Sequence, residues 1–170
     1  MKTALFESIE SLRPQLEAAD YMDVKTVDGD VSLRTVVAGI LSYRPFWVQF
    51  LYKVRRWTLR VMGFSIDLEH ADDVLTQDNL SVTPGDKATF FTVLDSDGEN
   101  YWFAEAPESH LSATFVVVRE KSGGKNGSDK FHTLTIVNYH NGMGKLEYNL
   151  VRPFHHLLIF LAMRHAVRNG

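Results

Sequence analysis

The sequence predicts an α+β protein, a curved antiparallel β-sheet wrapped around a long C-terminal helix, with two helices inserted after the first strand. Three observations carry this. Apolar residues keep a helical period from Val31 to Phe64. The period then changes to two in five runs separated by turn-rich segments. The last stretch, "VRPFHHLLIFLAMRHAVR" (151–168), is helical again. A helical stripe and the face of a sheet must each be buried against something, and a sheet gripping a helix buries both. A sandwich with the helices stacked on one flat face satisfies the same pattern and is the alternative.

Taken in order, residues 1–18 read as an N-terminal extension or a short helix interrupted by Pro14. "YMDVKTV" (21–27) is a first strand ended by "DGD" (28–30). Asp30 or Ser32 caps the next helix, whose apolar positions are Leu33, Val36, Val37, Ile40 and Leu41. "YRP" (43–45) breaks the run, and Pro45 suits the first turn of a second helix. That helix sets Trp47, Phe50, Leu51, Val54, Thr58 and Val61 along one broad face, and Gly63 is a natural stop. "DVLTQDNLSV" (73–82) is a further candidate strand. The period-two runs are "KATFFTVL" (87–94), "NYWFAEA" (100–106), "HLSATFVVVRE" (110–120), "FHTLTIVNYH" (131–140) and "KLEYNLV" (145–151). Short turns between them, "NGMG" (141–144) among these, imply an antiparallel meander. The closing helix is expected to start near Pro153 and run to about Arg168.

With 170 residues and 45% hydrophobic content, the chain fits one domain spanning 1–170. A net charge of −3 provides no global field for nucleic acid or anionic lipid. The absence of cysteine excludes disulfides, thiolate nucleophiles and cysteine-ligated metals. The first residues carry Glu7, Glu10 and Glu17 and no apolar run of signal-peptide length. "LLIFLAM" (157–163) falls far short of the roughly 20 residues a bilayer needs. A cytoplasmic protein without membrane insertion is therefore expected. No metal or nucleotide motif is found, and neither a metal nor another cofactor is expected. "KVRRWTLR" (53–60) mixes arginine with tryptophan and could touch phosphate or a membrane surface; a solvated face with stems packed on the core is the expected role.

Several side chains are candidates for a site. His155 and His156 open the predicted closing helix, where the helix dipole and burial both disfavour imidazolium. His155 is expected to face inward and to be neutral at pH 7. Asn138 lies in phase with Leu134 and Ile136, a polar group on an apolar strand face. Tyr148 is a further polar group in the last predicted strand. His110 falls in phase with Ser112 and Thr114 and is expected to face outward unless a bulge turns it. Tyr101, Trp102 and Phe103 are consecutive, so both faces of their strand carry a large ring. The surplus rings line a cavity, cover a sheet edge or meet a second subunit in a homodimer.

The ordered set "DYMD" (20–23), "FWVQFLYKVRRWTLRVMGF" (46–64), "SHLSATFVV" (109–117), "VNYHNGMGKLEY" (137–148) and "RPFHHLLI" (152–159) resembles the START-like (SRPBCC, helix-grip) superfamily. More narrowly, it is similar to the bacterial domain-of-unknown-function family 2867. Asn141, Gly144, Pro153, Phe154 and His155 match that family's pattern, as do His110 and Leu111; where the family has Asp and Phe next, this chain has Ser112 and Ala113. The resemblance implies a fold and a cavity, with no reaction attached. The function expected first is binding of a small apolar molecule between sheet and closing helix, lined by His155, Tyr148, Asn138, Trp102, Phe103 and His110. Alternatives are acid–base chemistry by His155 with Tyr148 or Asn138 polarising an oxygen, and an interaction domain using the aromatic strand.

Overall fold

The computed structural model describes residues 4–61, 75–122 and 127–169. The elements run α1 (Ala4–Glu7), a 3-10 turn (Glu10–Leu12), α2 (Arg13–Glu17), β1 (Tyr21–Gly29), α3 (Leu33–Leu41), α4 (Phe46–Val61), β2 (Lys87–Ala88), β3 (Phe91–Ser96), β4 (Tyr101–Pro107), β5 (Leu111–Glu120), β6 (Asp129–Tyr139) and α5 (Gly142–Asn169). The strands form one open antiparallel sheet in the order β1-β6-β5-β4-β3-β2, so the first strand returns to pair with the last. The α+β class, the long C-terminal helix against the sheet and the two helices after the first strand are all present.

The local chemistry explains most boundaries. Ser32 caps α3, its hydroxyl accepting from the Thr35 N–H at 3.1 Å. β3 is split from β2 where Thr89 takes a positive φ of 57°, and β3 carries a bulge between Val93 and Asp95. The described part of the 73–82 stretch, Leu75 onward, is turn and coil rather than strand. The expected stop at Gly63 falls outside the described residues.

The main correction concerns residues 141–151. "NGMG" is not a hairpin turn, and "KLEYNLV" is not a strand; the helix α5 takes in all but the first residue of this stretch. That first residue, Asn141, caps the helix, its Oδ1 accepting from the N–H groups of Met143 (3.0 Å) and Gly144 (3.1 Å). Pro153 therefore sits inside the helix rather than at its start, on the exposed side. A proline there removes one i→i−4 bond. The face Gly144, Tyr148, Val151, His155, Ile159, Met163, Ala166 repeats every three or four residues across it and turns toward the sheet.

Both faces of the sheet are covered. On one, Trp102, Ala104, Phe115, Val117 and Phe131 pack against Val36, Val37 and Ile40 of α3 and Ile159, Ala162 and Met163 of α5. On the other, Phe103, Val116, Val118, Leu134 and Ile136 are sealed by Phe6, Ile9 and Leu12. The first residues described are thus a packed layer rather than an appendage. This resolves the surplus rings: Trp102 and Phe103 point to opposite faces, and each face has its own cover.

Two glycines permit close contacts. A Cβ on Gly39 would lie 2.7 Å from the Ala166 Cβ, where α3 crosses α5. A Cβ on Gly144 would run into the backbone oxygen of His110. Gly144→Ala must push the first turn of α5 off the sheet corner, at a cost of about 1–3 kcal/mol or more. The expected result is a thermal midpoint lower by several degrees, measured by circular dichroism, whereas Gly142→Ala, with open space at its Cβ, should change it little.

Candidate functional site

Along β1, Tyr21, Asp23 and Lys25 alternate onto the face that meets α5. Along α5, Lys145, Asn149, Arg152 and His156 recur at helical spacing beside the buried stripe. Where these two rows face each other, the groups connect. The Tyr21 hydroxyl lies 2.8 Å from His156 Nε2. Lys25 Nζ donates to His156 Nδ1 at 2.8 Å and is ion-paired with Asp23. Asp23 Oδ2 is itself 3.1 Å from His156 Nδ1. His156 Nδ1 therefore faces both a donor and an acceptor, and a phenol stands at the other end of the ring. The Arg152 guanidinium lies over the Tyr21 ring, 5.7 Å from its centroid.

Tyr148 stacks behind this row, its ring 5.2 Å from Tyr21, 6.1 Å from Tyr139 and 6.1 Å from His155. The Tyr148 hydroxyl and His155 Nδ1 are buried and have no hydrogen-bond partner among the described residues. Burial raises the Tyr148 pKa well above the usual phenol value, helped by Tyr21 and Tyr139. Burial also pushes His155 down to about 4, with the charges of Lys25 and His156 adding to it. The expected neutral, inward His155 is present, but for a partly different reason. The ring sits in mid-helix, away from the N-terminal dipole.

In front of the tyrosines is an open cleft of about 390 Å³, lined by Asp20, Tyr21, Tyr139, Asn141, Gly142, Lys145, Asn149 and Arg152. Two tyrosine rings form part of its wall, and two cations stand beside them. The Asp20 carboxylate is held in place by the Tyr139 N–H at 2.7 Å. Three of the stretches that carry the family resemblance, 20–23, 137–148 and 152–159, meet here.

Other candidates lie elsewhere. Asn138 is on the opposite sheet face; with its amide nitrogen toward Ala18, it donates to that carbonyl at 2.8 Å and ties down the N-terminal layer. Trp102 is fully buried in the core, its Nε1 donating to the Ser81 carbonyl at 3.1 Å. Phe103 is buried under Phe6 and Leu12. None of the three lines the cleft.

His110 does not face outward. It precedes β5, so strand alternation does not govern it, and it is only 2% exposed. Its Nε2 is paired with Glu147 of α5 and lies 3.3 Å from a Glu108 oxygen. These three groups bring one ligand-type atom each to within 4.8 Å of one another, an arrangement able to share a divalent cation. The cluster is hidden in the sequence because Glu147 there reads as a strand residue.

An open antiparallel sheet closed by one long helix, with a tyrosine-lined cleft at the helix's N-terminal half, defines an α+β protein with an accessible pocket at its sheet edge. The chain belongs to the family Protein of unknown function (DUF2867), whose model matches residues 15–163. No curated protein and no solved structure matches it.

The charge state of His155 has a consequence for stability. Its folded pKa, about 4, lies below the unfolded value of about 6.5. Above pH 6.5 both states are neutral, and the ring makes stability no steeper with pH. As pH falls from 6.5 towards 4, the unfolded chain takes up the proton and the folded one does not, so stability declines; below 4 this loss levels off. Urea melts between pH 7 and 4.5 should show this decline, and His155→Leu should flatten it.

Proposed function

We propose that this protein binds a small molecule with an apolar ring and an acidic end, in the cleft between β1, the end of β6 and the first half of α5. The observation that carries the reading is the cleft's wall: two tyrosine rings beside two cations, Lys145 and Arg152, on an open face of about 390 Å³. Aromatic walls give contact area at little entropic cost, and cations fix a carboxylate. The unpaired Tyr148 hydroxyl and His155 Nδ1 behind the wall supply one donor and one further polar atom for a ligand group that reaches past the rings. The proposed pocket lies at the N-terminal end of the helix–sheet interface; farther along, Ile159, Ala162 and Met163 are packed on the core. The wider START-like resemblance supports a ligand-binding role through the same layout of sheet and closing helix.

A second reading is acid–base catalysis, favoured by the row Asp23–His156–Tyr21. With Nδ1–H directed to Asp23 in place of the Lys25 ammonium, Nε2 accepts the Tyr21 hydroxyl proton, a path for moving a proton between the ring and a bound substrate. Here His156 takes the role first assigned to His155. Under this reading His156→Gln would stop turnover of a bound substrate while leaving its affinity nearly unchanged.

Binding is tested by native mass spectrometry of untagged protein for a co-purified ligand, and by titration with phenylacetate and indole-3-acetate against indole. The acids should bind and indole should bind more weakly. Arg152→Gln should weaken the acids roughly tenfold. Tyr148→Phe should leave the melting temperature unchanged or raised, because it removes an unpaired buried hydroxyl, while weakening binding by roughly 2- to 10-fold. No adduct and no binding of either acid would refute the proposal.

A further inference from the structure

α4 exposes apolar side chains that neither the core nor the cleft covers. Of the broad apolar face read from its sequence, Trp47 and Leu51 are half-buried, whereas Phe50, Val54 and Val61 are exposed. Phe46 is 84%, Phe50 57%, Trp57 68% and Val61 68% exposed. At about 100° per residue these four fall within one narrow arc of the helix. Val48, on another side, is the residue that is buried. Lys53, Arg56 and Arg60 border the exposed arc on one flank and are themselves exposed. The helix "FWVQFLYKVRRWTLRV" contains four of the chain's 18 basic residues and none of its 21 acidic ones. Its charge is thus opposite in sign to that of the chain as a whole.

We infer that α4 is an interfacial helix that lays Phe46, Phe50, Trp57 and Val61 into the surface of an anionic phospholipid bilayer, with Lys53, Arg56 and Arg60 among the headgroups. A helix whose apolar and charged residues nearly balance, but which gathers its aromatic rings on one side and its basic groups beside them, lies in the plane of the interface. Tryptophan favours that depth because its ring is apolar and its N–H stays wet. The helix does not cross: no helix among the described residues is long and apolar enough to span a membrane. The charge chooses the occupant. A positive helix on a negative chain is drawn to an anionic surface while the rest of the protein is held off it. The docked helix would bring the protein to a bilayer by one element and leave the cleft at α5 facing the aqueous side or the headgroups.

The test is co-sedimentation of the full chain with sucrose-loaded vesicles, of pure phosphatidylcholine or with one third phosphatidylglycerol, at low and high salt. Partitioning onto the anionic vesicles should be at least roughly tenfold stronger than onto the neutral ones and should fall with salt. The pair Phe50→Ser and Trp57→Ser should abolish it, and Lys53→Glu with Arg56→Glu should abolish the preference for anionic lipid. Both pairs change exposed residues, and circular dichroism checks that the fold is kept. Three outcomes would overturn the inference: no partitioning onto anionic vesicles, partitioning that survives both pairs of changes, or self-association lost with the serine pair in place of vesicle binding, which would assign the face to a second copy. None of these outcomes bears on ligand binding in the cleft.

Discussion

The contact that orders this molecule is the approach of α5 to the backbone of His110 at Gly144. No other residue type fits there without moving the helix, because a Cβ would fall inside the carbonyl oxygen's radius. One helical turn on, Glu147 reaches the His110 side chain and Tyr148 enters the small cluster with Leu111 and Val137. Once that turn is seated, the period of the helix dictates the rest. Arg152 falls over Tyr21, His155 and His156 over β1, and Ile159, Ala162 and Met163 onto the core beneath Trp102. The site and the core are therefore two stretches of one helical face, indexed from the same fixed point.

The chemistry of the cleft follows from a gradient along that face. Ile159 and the buried residues beyond it join the main apolar core. Nearer the N-terminus the facing strand offers Tyr21, Asp23 and Lys25, whose charges and hydrogen bonds are met by His156 and Arg152. Behind the polar row, on the buried stripe of the same helix, lie Tyr148 and His155. Burial raises the Tyr148 pKa and lowers that of His155, and both carry a hydrogen-bonding atom with no partner among the described residues. Such atoms cost free energy unless something satisfies them. They lie behind an open wall that carries Tyr21 and Tyr139 together with Lys145, Arg152 and Asp20.

Much of the fold was legible in the sequence because its strands alternate and its turns are rich in glycine, aspartate and asparagine. Strands β1, β4, β5 and β6 fall within two residues of their expected positions. The error at 145–151 has a physical source. "KLEYNLV" alternates polar and apolar residues over a length too short to distinguish a strand from a helix, and Pro153 supplies a false start. The correct signal was the longer spacing from Gly144 through Tyr148, Val151 and His155 to Ile159, which crosses the proline unbroken. The covered second face was also readable in part. The run "FVVV" (115–118) and the paired rings Trp102 and Phe103 belong to strands buried on both sides.

The site was less legible for the same reason. The His155 and Tyr148 rings lie 6.1 Å apart, but the Tyr148 hydroxyl and His155 Nδ1 do not hydrogen-bond each other. Asn138, Trp102 and Phe103 lie away from the cleft, because both faces of the sheet are covered. The convergence of Tyr21, Tyr139, Lys145 and Arg152 is hidden in the sequence because it needs a helix at 142–152. The cleft exists only if that helix does, and backbone Cα and Cβ chemical shifts of the isotope-labelled protein test it directly. Helical shifts are predicted without a break from Gly142 to Asn169, passing through Pro153. Extended shifts over Lys145–Val151, with helix beginning only at Pro153, would contradict this and dissolve the cleft along with it.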